Sequence, residues 1–148
     1  MEKRMQSLLI ANGALVLLGG FAAGIPYGSA LAATLAPNAP AAAFETLRAW
    51  HMAHLEGALN GLLMLAAAAA AAHVTLGATA QRVVYWGLLV TGWGNIIASS
   101  ISAATGGRGL SMTGFDWNTL DFGLFVLGII GAVAAVVTLA VAGFRTNR

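Results

Sequence analysis

The 148-residue chain contains no cysteine, which excludes disulfides and thiolate metal sites and leaves the redox compartment unreadable. Charge is nearly as scarce: Asp, Glu, Lys and Arg make up 8% of residues and hydrophobic residues 59%. A soluble domain carries about a quarter charged residues, so the composition is that of a membrane domain. The net charge of +2 is not a nucleic-acid footprint, and no nucleic-acid partner is expected. Only Pro26, Pro37 and Pro40 interrupt the chain. There is no thiol, no nucleophile elbow and no glycine-rich loop between strand and helix, so no hydrolytic arrangement is credible. No internal repeat or linker marks a second domain.

The sequence does hold four apolar segments, each long enough to cross about 30 Å of hydrocarbon, which takes roughly 20 residues. They cover about 5–35, 44–73, 82–104 and 120–144, and predict an all-α bundle of four transmembrane helices. The first opens like a signal peptide, but its apolar run is too long for one and is expected to stay as a helix. Pro26 should kink it or end it early, and Ala36-Pro-Asn-Ala-Pro40 reads as a loop. Lys3, Arg4, Arg82, Arg145 and Arg148 fall at one end of such a bundle, Arg48 and Arg108 at the other. By the positive-inside rule both termini are then cytoplasmic. The expected location is a membrane, the bacterial cytoplasmic membrane in particular.

Within the second segment lie His51, His54, Glu56 and Asn60. Polar groups at membrane depth are costly and usually belong to a pathway or a reaction site. On a helical wheel Gly57 and Gly61 fall within about 60° of His54, with Met64 and Asn60 further round that side; Glu56 points almost oppositely. The glycine strip suits close helix packing and would equally accept the edge of a flat cofactor. Asn95, Ser99, Ser100 and Ser102 on the third segment come to similar depth in an antiparallel neighbour, forming one polar layer. Plainer readings compete: the amides and serines as interhelical hydrogen bonds, His73 and Arg82 as interfacial ends, Met52 and Met64 as packing. Asn118 with Asp121 three residues on reads as a helix N-cap box.

His51 and His54 supply two ligands at most, too few for zinc. One histidine beside a glycine strip fits haem held by one axial imidazole, with iron free to act as a Lewis acid. At this point a resemblance becomes specific. Trp50-His-Met-Ala-His-Leu-Glu-Gly-Ala-Leu-Asn-Gly61, with Gly92-Trp-Gly-Asn95, Arg108-Gly-Leu110 and Asp121, resembles a family of small four-helix membrane isomerases. That family contains styrene oxide isomerase and hydroxylaminobenzene mutase. The likeness covers about half the chain, from Trp50 to Asp121; the outer helices match mainly in character.

The resemblance implies a homotrimer with haem b between subunits and His54 as the axial metal ligand. Gly57, Gly61 and Asp121 join His54 as expected cofactor-binding residues, and Asn60, Asn95 and Ser99 are the expected catalytic set. The implied reaction is a rearrangement of a small aromatic substrate without net redox change. It is either aryl epoxide to aldehyde or arylhydroxylamine to aminophenol. Ser99 and Thr91 stand where styrene oxide isomerase has tyrosine and aspartate, and the Ala53–Gly57 wording is closer to the mutase branch, which favours the hydroxylamine. Two other classes stay open on the residues alone: a haem electron carrier, and a small multidrug transporter using Glu56. A glutathione-using membrane enzyme would want more clustered arginines than Arg48, Arg82 and Arg108 provide.

Overall fold

The computed structural model describes residues 1–146, so Arg148, one of the expected cytoplasmic charges, lies outside them. Its elements are α1 (Lys3–Thr34), α2 (Ala41–Ala70), α3 (Ala78–Thr105) and α4 (Trp117–Thr146), with no strand among the described residues. All four are long and apolar enough to span a membrane. At one end the Met1 ammonium donates to the Ala71 carbonyl at 3.2 Å and the Glu2 N–H to Gln81 at 2.7 Å. At the other, Arg108 donates to Glu45 at 2.8 Å. The described basic residues are therefore partitioned between the two ends in the pattern expected from the sequence.

The helices lie close to the expected spans. Pro26 does not end α1, which continues to Thr34; in hydrocarbon an unwound strand would leave backbone groups unsatisfied, so the helix continues. α4 starts at Trp117 because Asp116 caps it, its Oδ1 accepting the Thr119 N–H at 2.8 Å and its Oδ2 the Thr113 hydroxyl at 2.7 Å. The Asn118/Asp121 box is thereby corrected: Asn118 turns back onto the preceding loop, where its Oδ1 accepts the N–H groups of Arg108 and Gly109 at 3.0 and 2.8 Å. The two acceptors at the head of α4 share the work differently, since Asp116 has the three-residue offset that reaches a free N–H.

Packing is pairwise. α1 lies along α2 and α3 along α4, while α1 and α2 also rest on α3; α4 has no comparable packing on α1 or α2. A cleft is left between α2 and α4 with α3 as its floor. The α1–α2 contact is made of backbone. A Cβ added at Gly20 would lie 2.5 Å from the Ala58 nitrogen, one at Gly61 would lie 2.6 Å from the Leu17 nitrogen, and one at Gly57 would overlap the Gly20 backbone. α3 and α4 repeat the device at Gly87, where a Cβ would meet the Gly131 carbonyl at 2.6 Å. Thr91 adds its hydroxyl, 2.8 Å from the Gly128 carbonyl across that interface. In lipid, where apolar burial does not drive helices together, such approach is what holds them.

Two outcomes follow. Gly20→Ala should lower thermal stability in detergent by about 1–3 kcal/mol, because the opposing atoms are backbone and cannot rotate away. Gly28→Ala, with open space around its would-be Cβ, should be neutral or raise stability by up to about 1 kcal/mol through helix propensity. Equal melting temperatures for the two variants would refute the backbone-contact account. At the head of α4, bonds from the Thr113 hydroxyl and then the Thr119 N–H hold the Asp116 carboxyl below its ordinary value near 3.8. Since the folded value is the lower, the cap's contribution is complete above the unfolded value and fades as pH falls through the folded one. Asp116→Ala should thus melt below the native protein at pH 7, and the gap should close progressively below about pH 4; a gap independent of pH would contradict this.

Candidate functional site

His54 projects from α2 towards α1, half-buried, with Nδ1 2.9 Å from the Gly20 carbonyl oxygen. A carbonyl can only accept, so Nδ1 carries the proton and donates, and Nε2 is left with its lone pair. This is the second bond that orients a ligating imidazole. Gly24 makes room for the ring, since a Cβ there would sit 3.2 Å from Nδ1. Tyr27 stacks on both histidines, its centroid 5.0 Å from His51 and 5.8 Å from His54. Among the described residues no three His, Cys, Asp or Glu side chains gather into a metal-binding group. What the chain offers is therefore one oriented imidazole nitrogen. That suits a group bringing its own equatorial ligands, as a porphyrin does, and not a bare ion needing three or four protein donors.

The glycine strip beside His54 is not open. Gly57 and Gly61 are buried under α1, against the backbones of Gly20, Gly13 and Leu17. The expectation that they hold the edge of a cofactor gives way to the packing reading, because α1 fills the strip.

On the opposite face of α2 lies a cavity of about 470 Å³, floored by α3 and walled by α4. Glu56 and Met52 line it from α2, Asn95, Ser99 and Ser102 from α3, and Phe122 and Phe125 from α4. The 107–110 stretch closes one end, with Arg48 and Arg108 at the mouth. Both arginines bind the same exposed Glu45 carboxylate, at 3.2 and 2.8 Å; such exposed pairs contribute about 0–1 kcal/mol each, so they position the mouth more than they stabilise it. Gly109 is left-handed (φ 58°) and a Cβ there would lie 2.7 Å from the Phe125 ring, so only glycine brings the loop down onto that aromatic wall.

The expected catalytic residues meet different fates. Asn95 reaches the cavity: its Oδ1 is buried against Gly128 without a hydrogen-bond partner, and its amide nitrogen takes no partner among the described residues. Ser99 lines the cavity, but its hydroxyl lies 2.7 Å from the Asn95 carbonyl and 3.3 Å from that of Ile96, so its proton is committed to its own helix. Asn60 is buried beside Glu56 and not beside His54. Its Nδ2 donates to the Glu56 carbonyl at 2.8 Å and to Glu56 Oε2 at 2.7 Å, which commits both amide hydrogens. Asp121 is fully buried at the α3–α4 junction, accepting the Ser102 hydroxyl at 2.6 Å, beneath Gly107 and Gly109. It braces the wall behind the cavity and does not approach His54 of the same chain.

Glu56 is named in the sequence reading but left outside its expected site. Measured from His54, the wheel turns it away from the expected centre, yet that direction is where the cavity lies. The signal was present in the four-residue spacing from Glu56 to Asn60, which puts both on one helix face. The Gly20 carbonyl was likewise hidden, because a backbone acceptor on another helix leaves no mark in a motif.

Comparison with known proteins agrees with this architecture. A family model described as styrene oxide isomerase matches residues 5–144. The likeness therefore extends from the half of the chain that carries the motifs into both outer helices. No curated protein matches the chain. With nearly its whole length matched, this four-helix chain belongs to the styrene oxide isomerase family.

Proposed function

We propose that the protein is a haem b-dependent membrane isomerase that rearranges a small aromatic substrate inside a homotrimer. The family supports an isomerase of the styrene oxide type. The observation that carries the haem reading is His54, whose Nδ1–H is held by the Gly20 carbonyl and whose Nε2 is left free. Haem held there would supply a Lewis acid for a substrate oxygen. His54 would be its protein ligand, with Tyr27 fixing the plane of the imidazole by stacking.

Assembly with a further copy, which the trimer provides, is supported by geometry within one chain. His54 and the cavity occupy opposite faces of α2, so one copy cannot present both to one substrate. A neighbouring copy, set with its cavity against His54, completes the site. α4 supports this arrangement, since it packs on α3 and leaves a broad apolar face exposed to lipid or to another subunit.

The chain's own residues then bind, orient and shield. Phe122, Phe125 and Met52 hold an aryl ring and keep water from a cationic centre. The Asn95 amide donates to oxygen as charge develops there, a preorganised dipole on a rigid helix. Asn60 acts through Glu56, fixing its carboxyl. Ser99 gives the floor its shape. The favoured substrate is an arylhydroxylamine: the N–O bond breaks, a C–O bond forms at the ring, and a proton passes from ring carbon to nitrogen, with no external oxidant. The wording around His54 and the serine at position 99 favour it; the family match favours an aryl epoxide as the second reading.

The test is the absorption spectrum and turnover of detergent-purified protein. The native protein should show a Soret band, and His54→Ala should lose it together with about two to four decades of rate on phenylhydroxylamine or styrene oxide, at about 1.4 kcal/mol per decade. Colourless native protein working at full rate would overturn the reading.

A further inference from the structure

Glu56 is the sole carboxylate among the described residues that line the cavity, and in the rearrangement proposed above it figures only as the carboxyl that Asn60 fixes. Among the described residues no cation pairs with it: Arg48 and Arg108, the nearest along the cavity wall, are both engaged by Glu45 at the mouth. One of its oxygens, Oε2, is fixed by the Asn60 amide. The other, Oε1, accepts no hydrogen bond from the described residues and is not sealed within protein. Across the cavity stands Asn95, a donor with its own oxygen turned into the α3–α4 contact at Gly128. The walls between them are aromatic and aliphatic. The cavity thus presents one oriented acceptor from α2, one donor from α3, and an apolar slot for a ring.

We infer that Glu56 determines specificity, selecting aromatic substrates whose reacting group carries an N–H or O–H donor. The inference rests on the reading that this cavity is the substrate site. Its physical basis is the cost of an unmatched carboxylate. Burying a polar group without a partner is unfavourable, and more so at membrane depth. A ligand with a donor satisfies Oε1 while Asn95 donates to its oxygen. An epoxide can take the Asn95 bond but has no donor to give, so its binding displaces water from Glu56 and offers nothing in return. Sites built to hydrogen-bond a substrate group discriminate strongly against analogues lacking it. The Asn60 bond makes the preference directional: with Oε2 held, Oε1 is the oxygen left to accept.

Glu56→Gln inverts the group without changing its size. Asn60 donates to the new amide oxygen, which turns the amide N–H groups into the slot, so an acceptor becomes a donor. In the purified native protein and this variant, kcat/KM should be measured for phenylhydroxylamine and styrene oxide, with the Soret band and oligomeric state recorded alongside. The ratio of phenylhydroxylamine to styrene oxide should fall by about 100-fold in the variant. An unchanged ratio, or an equal fall for both substrates, would overturn the inference. A second measurement is independent of turnover and of the variant's folding: equilibrium binding of benzyl alcohol and benzyl methyl ether to native protein in nanodiscs. The alcohol, which has the donor, should bind about tenfold more tightly than the ether, corresponding to about 1.4 kcal/mol. Should native protein convert neither substrate, the isomerase reading fails, while a preference for the alcohol still upholds the role of Glu56. Equal affinities for the two would overturn it.

Discussion

The close approach of α1 to α2 is the constraint on which the rest depends. Gly20 meets Gly57 backbone to backbone, and any side chain at either position would hold the helices apart. That contact brings the Gly20 carbonyl to the His54 imidazole, which fixes the ring's tautomer and aims its second nitrogen. The same contact determines what the other faces of α2 can do. With α1 covering the glycine strip, the face bearing Glu56 is left to α3 and α4, and the loose fit of α4 turns it into a cavity. A held imidazole and a cavity lined by Glu56 and Asn95 are thus set on opposite faces of one helix by close glycine contacts.

Much of this was legible in the residues. Four spans follow from hydropathy and length, their pairing of ends from the basic residues, and the polar layer from counting inwards along α2 and α3. Asn95, Ser99 and Ser102 do share a cavity. The motif around His54, with its partners on α3 and in the loop, was enough to suggest the family. What could not be read was which neighbour covers which face. The wheel of α2 shows Gly57 and Gly61 beside His54 but is silent on whether lipid, cofactor or α1 fills them. It shows Glu56 opposite His54, which looks remote until the cavity is found on that side. Asn60 lies nearer in angle to Glu56 than to His54, and its amide follows that angle.

Local chemistry misled at the head of α4 for a related reason. Asn118 and Asp121 have the spacing of an N-cap box, but Asp116 stands two residues earlier with the same offset to Thr119 and takes the cap. That frees Asn118 to hold the loop over the cavity and Asp121 to brace Ser102 behind it.

The central claim is that His54 of one subunit and the Glu56–Asn95 cavity of its neighbour form one haem site. A cryo-electron microscopy map of the protein in nanodiscs tests it most directly. The account predicts three copies around an axis, with macrocycle density joined to each His54 Nε2 and facing the adjacent subunit's cavity. A map in which His54 meets only lipid or side chains, with no macrocycle between the copies, would contradict it.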